Sequence, residues 1–337
     1  MVEEQRQRGH AAALARAYRE HGDGLFDKIG GPFAFAILDR STGEAMLAID
    51  RMGIHSLYFS SLRGGLVFGS TADLVRSHPD VRTSIPLQAI YNYLHAYVCR
   101  SPGTIYAEQQ KLGPGRCLKW RNGEARIESY WQMSFEADRS KSENELAEEL
   151  VEQVRRAVQR SLPGGRSERV GAFLCGGLDR STSTGLLSEL STAPAKTFTI
   201  GFDESSYDEM RFADAANRKF RTEAYRYYLK PGDVVAMASK IAAYYDEPFG
   251  NSSAVPTYFC VSEARKAGVS CLLAGDGGDE VLAGNTRYLD QEKYIRFSNL
   301  PALLRTTLDW TIRLPILRRT PVWQRAATSF GRQLPPY

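Results

Sequence analysis

The sequence predicts two fold types in one chain: an α+β antiparallel sandwich followed by an α/β, doubly wound parallel sheet. Short strands separated by turn residues fill residues 31–74, as in an antiparallel meander. Beyond residue 169, short β-rich runs alternate with helical patterns, which is typical of a parallel sheet with crossover helices. The chain has 337 residues, more than the roughly 100–200 residues of a usual single domain.

A polar stretch without periodicity, residues 132–142, separates the two patterns, and Ser142 with Glu145 forms a capping box that opens a long helix. We therefore expect domains at residues 1–135 and 143–337. Helices at Ala11–His21 and Pro86–Leu94 flank the meander. The predicted parallel strands are Val170–Leu174, Lys196–Phe202, Ala224–Leu229 and Ser270–Ala274, and the predicted helices among them are Leu178–Leu190, Asp208–Phe220, Asp233–Ala243 and Val255–Ala267.

Composition narrows the class of protein. The apolar share of 43% and charged share of 24% are ordinary for a globular protein. The net charge of +4 comes largely from the arginines that follow residue 295, which are interleaved with apolar residues as in helices that pack. Five scattered cysteines without a CxxC pair predict neither a disulfide framework nor a zinc site. Without a long apolar run or an apolar amino terminus, we expect a cytoplasmic protein with no membrane or nucleic-acid partner.

A glycine pair follows the first predicted parallel strand. Residues 173–181 read Phe-Leu-Cys-Gly-Gly-Leu-Asp-Arg-Ser, with a helix expected from Leu178. Gly176 and Gly177 leave backbone N–H groups open to a phosphate, and the amino terminus of the helix adds its positive dipole end. A plain tight turn is the alternative interpretation of two glycines alone.

A second loop carries three acids among three glycines. Residues 274–280 read Ala-Gly-Asp-Gly-Gly-Asp-Glu. The acids repel one another unless a cation gathers them, and carboxylate oxygens suit Mg²⁺. A solvated turn with helix-capping acids is the alternative. Both loops follow strands of one predicted parallel sheet, at the edge where open α/β sheets bind ligands.

Together the loops resemble those of the N-type ATP pyrophosphatases, and the sequence VGAFLCGGLDRSTSTGLLS resembles the asparagine synthetases in particular. Cys175, Arg180 and Ala274 stand where that family has serines. A thiol is a weaker hydrogen-bond donor than a hydroxyl, whereas Arg180 either supplies a compensating cation or fills the pyrophosphate pocket. The blocks TFTIGFDESSYDEMRFA and DEPFGNSSAVP extend the resemblance nearly continuously over Val170–Tyr288.

The resemblance implies ATP and Mg²⁺ as cofactors and a role for each matching residue. The implied nucleotide-binding set is Phe173, Leu174, Cys175, Gly176, Gly177, Asp179, Arg180, Ser181, Ile200, Ala274 and Gly275. Asp276, Asp279 and Glu280 are the implied catalytic acids, and Asp179 and Asp279 the implied metal ligands. Tyr207, Asp208 and Glu209 match the residues that open the next helix. Helix capping stays open as the role of Asp246.

The first half resembles the later strands of an amino-terminal-nucleophile glutaminase domain, through Gly31–Asp39 and Asp50–Tyr58. In that family the nucleophile is a cysteine at the mature amino terminus, whereas this chain begins Met1-Val2 and has His10 where the family's glutamine-binding aspartate falls. The resemblance thus implies a chain truncated at both ends, without glutamine hydrolysis and with an unpaired strand edge. An enzyme that has evolved to use ammonia alone is the alternative. The family's phosphate-binding lysine has no counterpart, because no lysine follows Lys293.

The resemblance implies adenylation of aspartate or a similar carboxylate by ATP, followed by amide formation with free or glutamine-derived ammonia, in a protein for which a homodimer is one assembly. Two alternatives stay open. One is an amidotransferase for another carboxylate, on a saccharide or secondary metabolite, because a shared fold does not fix the substrate. The other is a catalytically silent nucleotide-binding fragment, which Cys175, Arg180 and Ala274 favour.

Overall fold

The computed structural model describes residues 9–165, 167–204, 208–282, 284, 285, 288, 291, 295, 296, 299–301 and 304. The chain divides into two compact units, both discontinuous in sequence. Unit 1 comprises Met1–Glu148 and Leu229–Phe259, and unit 2 comprises Glu149–Tyr228 and Cys260–Tyr337. The predicted domains are each continuous, whereas in the structure residues 229–259 belong with the amino-terminal unit.

Unit 1 contains two antiparallel sheets and several helices. Helix α1 spans His10–His21 and is followed by a 3-10 helix at Gly22–Asp27. The strands are β1 (Ala34–Asp39), β2 (Glu44–Ile49), β3 (Tyr58–Leu62), β4 (Gly65–Gly69), β5 (Gln110–Lys111), β6 (Arg116–Arg121) and β7 (Glu124–Ser129). They form one sheet in the order β1-β2-β6-β7 and another in the order β4-β3-β5. Helices α2 (Ala72–Arg76) and α3 (Leu87–Ala96) lie between β4 and β5 in sequence.

Strand β2 explains why the sheets form a sandwich, since successive side chains of a strand point to opposite faces. Leu47 and Ile49 pack with Phe59 of β3, which joins the two sheets through one core. Met46 and Ala48 point to the other face and pack with Phe26 of the 3-10 helix. One sheet is therefore covered on both faces, by the second sheet and by helical residues.

The buried carboxylate of Asp50 organises the turn that follows β2. It is 2% exposed and accepts hydrogen bonds from the backbone N–H groups of Phe33 (3.3 Å), Met52 (3.1 Å), Ile54 (3.0 Å) and His55 (3.1 Å). Burial alone would raise the pKa of this carboxyl, but the four donors hold the pKa below its usual value. Asp50 is thus a structural anion.

Residues 229–259 of unit 1 contain helix α7 (Pro231–Tyr244). An acidic pair, Asp246 and Glu247, follows this helix and contacts the sheet β4-β3-β5 and helix α2. The Asp246 carboxylate accepts a hydrogen bond from the backbone N–H of Ala72, the first residue of α2. Asp246 therefore caps a helix that lies far away in the sequence. Next to it, the Glu247 carboxylate accepts hydrogen bonds from Tyr58 Oη (3.0 Å) and from the backbone N–H of Ile105 (2.9 Å).

Unit 2 is built on a four-stranded sheet with the order β10-β9-β8-β11. Its strands are β8 (Val170–Phe173), β9 (Lys196–Phe202), β10 (Glu223–Leu229) and β11 (Cys271–Leu273). Its helices are α5 (Leu178–Leu190), α6 (Met210–Phe220), the short α9 (Gly278–Leu282), and the later parts of α4 (Glu143–Ser161) and α8 (Ala254–Lys266), both of which begin in unit 1. Strand β8 pairs in parallel with both β9 and β11.

The sheet of unit 2 has a core on each face. Ala172 of β8 packs with Val158 of α4 and Leu187 of α5 on one face. On the opposite face, Phe198 of β9 packs with Cys260 of α8. A parallel sheet covered by helices on both faces is a doubly wound α/β fold.

The fold-class prediction is confirmed in both halves, and the Ser142–Glu145 capping box is present, with the Ser142 N–H donating to the Glu145 carboxylate at 2.8 Å. Strand β1 pairs with β2 among the described residues, and the predicted unpaired edge stays a prediction. None of the described helices is long and apolar enough to cross a membrane. Tyr207, Lys293 and the arginines after residue 304 lie outside the described residues.

Candidate functional site

The two predicted loops leave neighbouring strands of unit 2. In the β8–β11 pair, Val170 lies opposite Cys271 and Ala172 opposite Leu273, so both strands end at the same edge of the sheet. The strand order changes direction at this pair, since β9 and β10 lie on one side of β8 and β11 on the other. Such a reversal leaves a crevice that open α/β sheets use for ligands. Residues 174–181 and 274–280 border it.

The first loop turns from β8 into α5 through the glycine pair. Gly177 is the residue before the first turn of α5, and its carbonyl accepts a hydrogen bond from the backbone N–H of Ser181 at 3.2 Å. The N–H of Gly177 lies 3.4 Å from the sulfur of Cys175. Gly177 is exposed, and Cys175 is half-buried. The loop thus presents the amino terminus of a 13-residue helix to the crevice.

Gly176 is required for a packing reason that the sequence did not reveal. A Cβ built on Gly176 would overlap the side chain of Phe212, on α6. The Arg211 guanidinium lies over the Phe212 ring, 4.5 Å from its centroid. Phe212 therefore covers the backbone of the first loop on one side, and sequence reasoning missed this residue because an aromatic residue within a helix carries no motif.

The second loop contains one glycine that its backbone conformation requires. Gly277 has φ of 90°, a left-handed conformation that L-residues with a side chain rarely adopt. Its carbonyl accepts a hydrogen bond from the backbone N–H of Val281 at 3.0 Å, so α9 begins directly after the turn. The three acids Asp276, Asp279 and Glu280 are all exposed.

The two loops are in direct contact. A Cβ built on Gly278 would lie 2.6 Å from Asp179 Cγ, and one on Gly275 would lie 3.0 Å from the backbone nitrogen of Arg180. The glycines of the second loop therefore make room for the first turn of α5. The structure brings Asp179, Arg180, Gly275 and Gly278 together at the point where the sheet reverses its order.

Arg180 lies among groups that carry negative charge or accept hydrogen bonds. Desolvation by neighbouring atoms, on its own, would lower the pKa of the guanidinium. The Cys175 side chain and the carboxylates of Asp276 and Glu209 have the opposite effect, and the net pKa is raised. Arg180 is therefore a permanent cation at the crevice.

The carboxyl end of β9 carries Ile200, a member of the implied nucleotide-binding set. Ile200 is half-buried and packs with the core cluster around Phe198. Thr199 is 3% exposed, and its hydroxyl has no hydrogen-bond partner among the described residues. A Cβ on Gly201 would lie 2.6 Å from Tyr228 Cε1, so this aromatic ring covers the strand end. The predicted role of Ile200 stays a prediction.

The carboxylates fit a Mg²⁺ ion of the kind that ATP carries. Within the described part of the chain, no three or more His, Cys, Asp or Glu side chains come together as a preformed metal cage. Mg²⁺ is usually held by one or two carboxylates, with phosphate oxygens and waters completing its shell. The exposed Asp279 and the half-buried Asp179 suit that mode, and their role as metal ligands stays a prediction.

In unit 1, His10 begins α1 and lines an open groove together with residues of the Pro32–Ala36 segment. Apart from His10 the side chains that line the groove are apolar, among them Leu14, Phe33 and Phe35. The groove lies beside β1, a strand at one edge of its sheet.

Comparisons with known proteins agree with both halves of the chain. A family profile described as asparagine synthase matches residues 146–334, and one described as a glutamine amidotransferase domain matches residues 3–131. A putative asparagine synthetase [glutamine-hydrolyzing] 2 from Methanocaldococcus jannaschii is 30% identical over 300 residues, covering 87% of this chain and 57% of that protein. Asparagine synthetase [glutamine-hydrolyzing] 1 from Bacillus subtilis is 27% identical, covering 88% of this chain and 46% of that protein.

More distant similarity reaches other proteins. A protein named amidase chry2 from Gibberella zeae is 24% identical over 286 residues, covering 79% of this chain and 42% of that protein. The NH3-dependent NAD synthetase structure from Campylobacter jejuni covers 56% of this chain and 98% of that one, with 11% identity and a TM-score of 0.28, a similarity too low to argue from. The chain spans about half the length of the curated relatives it matches.

Proposed function

Because the chain belongs to the asparagine synthase family, we propose that it activates a carboxylate with ATP and then converts it to an amide. The contact between the two loops carries this proposal. Asp179 and Arg180 of the first loop lie against Gly278 and Gly275 of the second. A helix amino terminus and a group of carboxylates therefore face one crevice, as binding of a triphosphate requires.

In the proposed reaction the backbone N–H groups near Gly176 and Gly177 bind phosphate oxygens, and adenine lies near Ile200. A carboxylate oxygen of the acceptor forms a bond to the α-phosphorus, and the bond from that phosphorus to the bridging β-oxygen breaks, so pyrophosphate leaves with the electron pair. Ammonia nitrogen then bonds to the acyl carbon and loses a proton, while AMP leaves. Asp179 and Asp279 would hold Mg²⁺, which when bound would offset the negative charge of the phosphates.

The chain's own groups contribute mainly positioning and charge stabilisation. Exposed Asp276, Asp279 and Glu280 are proposed to orient the metal–pyrophosphate group. The proposed nitrogen donor is ammonia, whether free or released from glutamine. Aspartate is the proposed acceptor, and a homodimeric state and a cytoplasmic location stay predictions.

The proposal is tested by pyrophosphate release from ATP, measured with ammonium and aspartate. We expect release that depends on both, and a loss of about 100- to 1000-fold in Asp279→Asn, since removal of one preorganised electrostatic group typically costs that much in rate. Glu189→Gln is the matched control, because Glu189 is an exposed acid at the far end of α5 that pairs with Arg155. Equal activity of the Asp279 variant and the wild type would remove the acid loop from the mechanism.

A second candidate is amide formation on a different carboxylate, which the similarity to a protein named amidase chry2 favours. A panel of amino acids and larger carboxylic acids in the same assay separates the two candidates. Release with aspartate supports the first, and release with another acid alone supports the second. Measurable ATP binding without release supports a silent nucleotide-binding protein.

A further inference from the structure

We infer that Arg180 binds the β- and γ-phosphates of ATP and the pyrophosphate product, as a cation supplied by the first loop itself. This inference rests on the proposed function. Arg180 could have either of two roles: a cation that binds the phosphates, or a side chain that fills the phosphate site.

Arg180 lies in the first turn of α5, three residues after Gly177. A Cβ on Gly275 would lie 3.1 Å from Arg180 Cγ, so the aliphatic part of the side chain passes from the first loop onto the second. The side chains of Cys175 and Asp276 both act electrostatically on the guanidinium. The cation is thus placed between the two loops, in the crevice where the strand order reverses.

Exposure distinguishes binding from blocking. A side chain that sealed the crevice would itself be buried, whereas Arg180 is exposed. Its present neighbours are the Cys175 thiol, which is a weak acceptor, and the carboxylates of Asp276 and Glu209. A phosphate is a stronger, bidentate partner for a guanidinium than a thiol is. The incoming ligand can therefore take over the side chain without unfolding the loop.

Two other cations of unit 2 are engaged elsewhere. Lys196 Nζ donates to the Ala267 carbonyl at 2.7 Å, and Arg226 pairs with Asp214 at 2.6 Å. The loops meanwhile lack hydroxyl groups at Cys175 and Ala274, which removes donors for phosphate. The guanidinium of Arg180, with five N–H donors, supplies both the charge and the hydrogen bonds.

The test measures binding of three probes, ATP with Mg²⁺, inorganic pyrophosphate with Mg²⁺, and AMP, by isothermal titration calorimetry. In Arg180→Ala and Arg180→Ser we expect affinity for ATP and pyrophosphate to fall about 10- to 100-fold, because charge-assisted hydrogen bonds are lost. Affinity for AMP should change less than about twofold, because AMP lacks those phosphates. Arg180→Lys should lie between, since an ammonium cannot bind in a bidentate manner.

Arg218→Ser is the matched control, because Arg218 is an exposed arginine in the last turn of α6. Tighter or unchanged ATP and pyrophosphate binding in Arg180→Ala would overturn the inference, and tighter binding would identify the side chain as a plug. Parallel loss of AMP binding would also overturn it, by indicating a structural role. If the wild type binds none of the probes, the proposed function itself fails, whereas normal wild-type binding with insensitive variants rejects the inference alone.

Discussion

Replacing Glu247 with glutamine should destabilise unit 1 substantially. The Glu247 carboxylate lies 2.7 Å from Lys111 Nζ, and the two side chains are only 8% and 16% exposed. It also accepts hydrogen bonds from Tyr58 Oη and the Ile105 N–H. Glutamine keeps the shape and one acceptor oxygen, but it leaves the Lys111 ammonium buried without a counter-ion.

Loss of one partner of a buried ion pair typically costs about 3–5 kcal/mol in the free energy of unfolding. The Lys111 ammonium also lies 5.8 Å from the Tyr58 ring centroid, a contact that offsets about 1 kcal/mol at most. We therefore expect a loss of about 2–4 kcal/mol for Glu247→Gln. Lys111→Met in the same chain should recover most of it, because the pair is then replaced by uncharged groups.

Hydrogen exchange followed by mass spectrometry is the appropriate assay, since peptides from β3 and β5 report on unit 1 separately from unit 2. Glu108→Gln is the control, because its pairing with Arg82 has side-chain exposures of 38% and 82% and should be worth less than about 1 kcal/mol. A loss no larger in Glu247→Gln than in Glu108→Gln, or no recovery with Lys111→Met, would refute the reasoning.

A second readout in the same variant is the Cys99 thiol. Burial is the largest cause that raises the pKa of Cys99, to about 11, and the negative charge and hydrogen bond of Glu247 are the next largest. Removing the negative charge should lower this pKa and increase the rate at which the thiol reacts with an alkylating reagent at pH 9. An unchanged rate would show that Glu247 does not act on Cys99.

Three further predictions concern other residues. Asp50→Asn should cost about 2–4 kcal/mol at pH 7, because hydrogen bonds to a buried charged group are worth more than neutral ones. The pKa of Asp50 is lower in the folded than in the unfolded protein, where it is about 3.9. The stability that the Asp50 carboxylate contributes is therefore present above the unfolded pKa and is lost as pH falls through the folded pKa. The urea midpoints of wild type and variant should converge in acid. Cys175 should react with a thiol reagent faster than the thiols buried in the cores, and ATP with Mg²⁺ should slow it several-fold; no protection would count against nucleotide binding at this loop. Gly278→Ala should lower pyrophosphate release by about 100-fold, because its Cβ would displace Asp179, whereas Gly232→Ala, with open space around it, should not; equal effects would contradict the loop contact.

Local sequence signals predicted the elements of unit 2 well, because these elements depend on short-range periodicity. The helix at Leu178–Leu190 and the strand at Lys196–Phe202 have the predicted bounds. The long helix α4 follows the predicted capping box, and its apolar residues are unevenly covered: Leu146 and Leu150 are 39% and 43% exposed, whereas Val158 is buried. Periodicity identifies the face of a helix but not how deeply each position is buried.

The non-local features could not be predicted in the same way. Nothing near Asp246 or Glu247 in the sequence indicates Ala72, Tyr58 or Lys111, which lie more than 130 positions away in the chain. The Phe212 side chain over Gly176 likewise follows from how α6 packs. Sequence motifs identified the loops of the site, whereas the packing that holds them depends on the folded chain.

The interrupted course of the chain bears on how the protein can be divided in the laboratory. A cut near residue 140, which follows the linear order of the family profiles, would leave the amino-terminal piece without residues 229–259. In such a piece Lys111 would lose the Glu247 carboxylate, and the backbone N–H of Ala72 would lose its acceptor, Asp246. Expression of the amino-terminal unit alone therefore calls for a fragment in which a short linker attaches residues 229–259 to the amino-terminal residues. Poor solubility of a simple amino-terminal half would follow from the loss of residues 229–259.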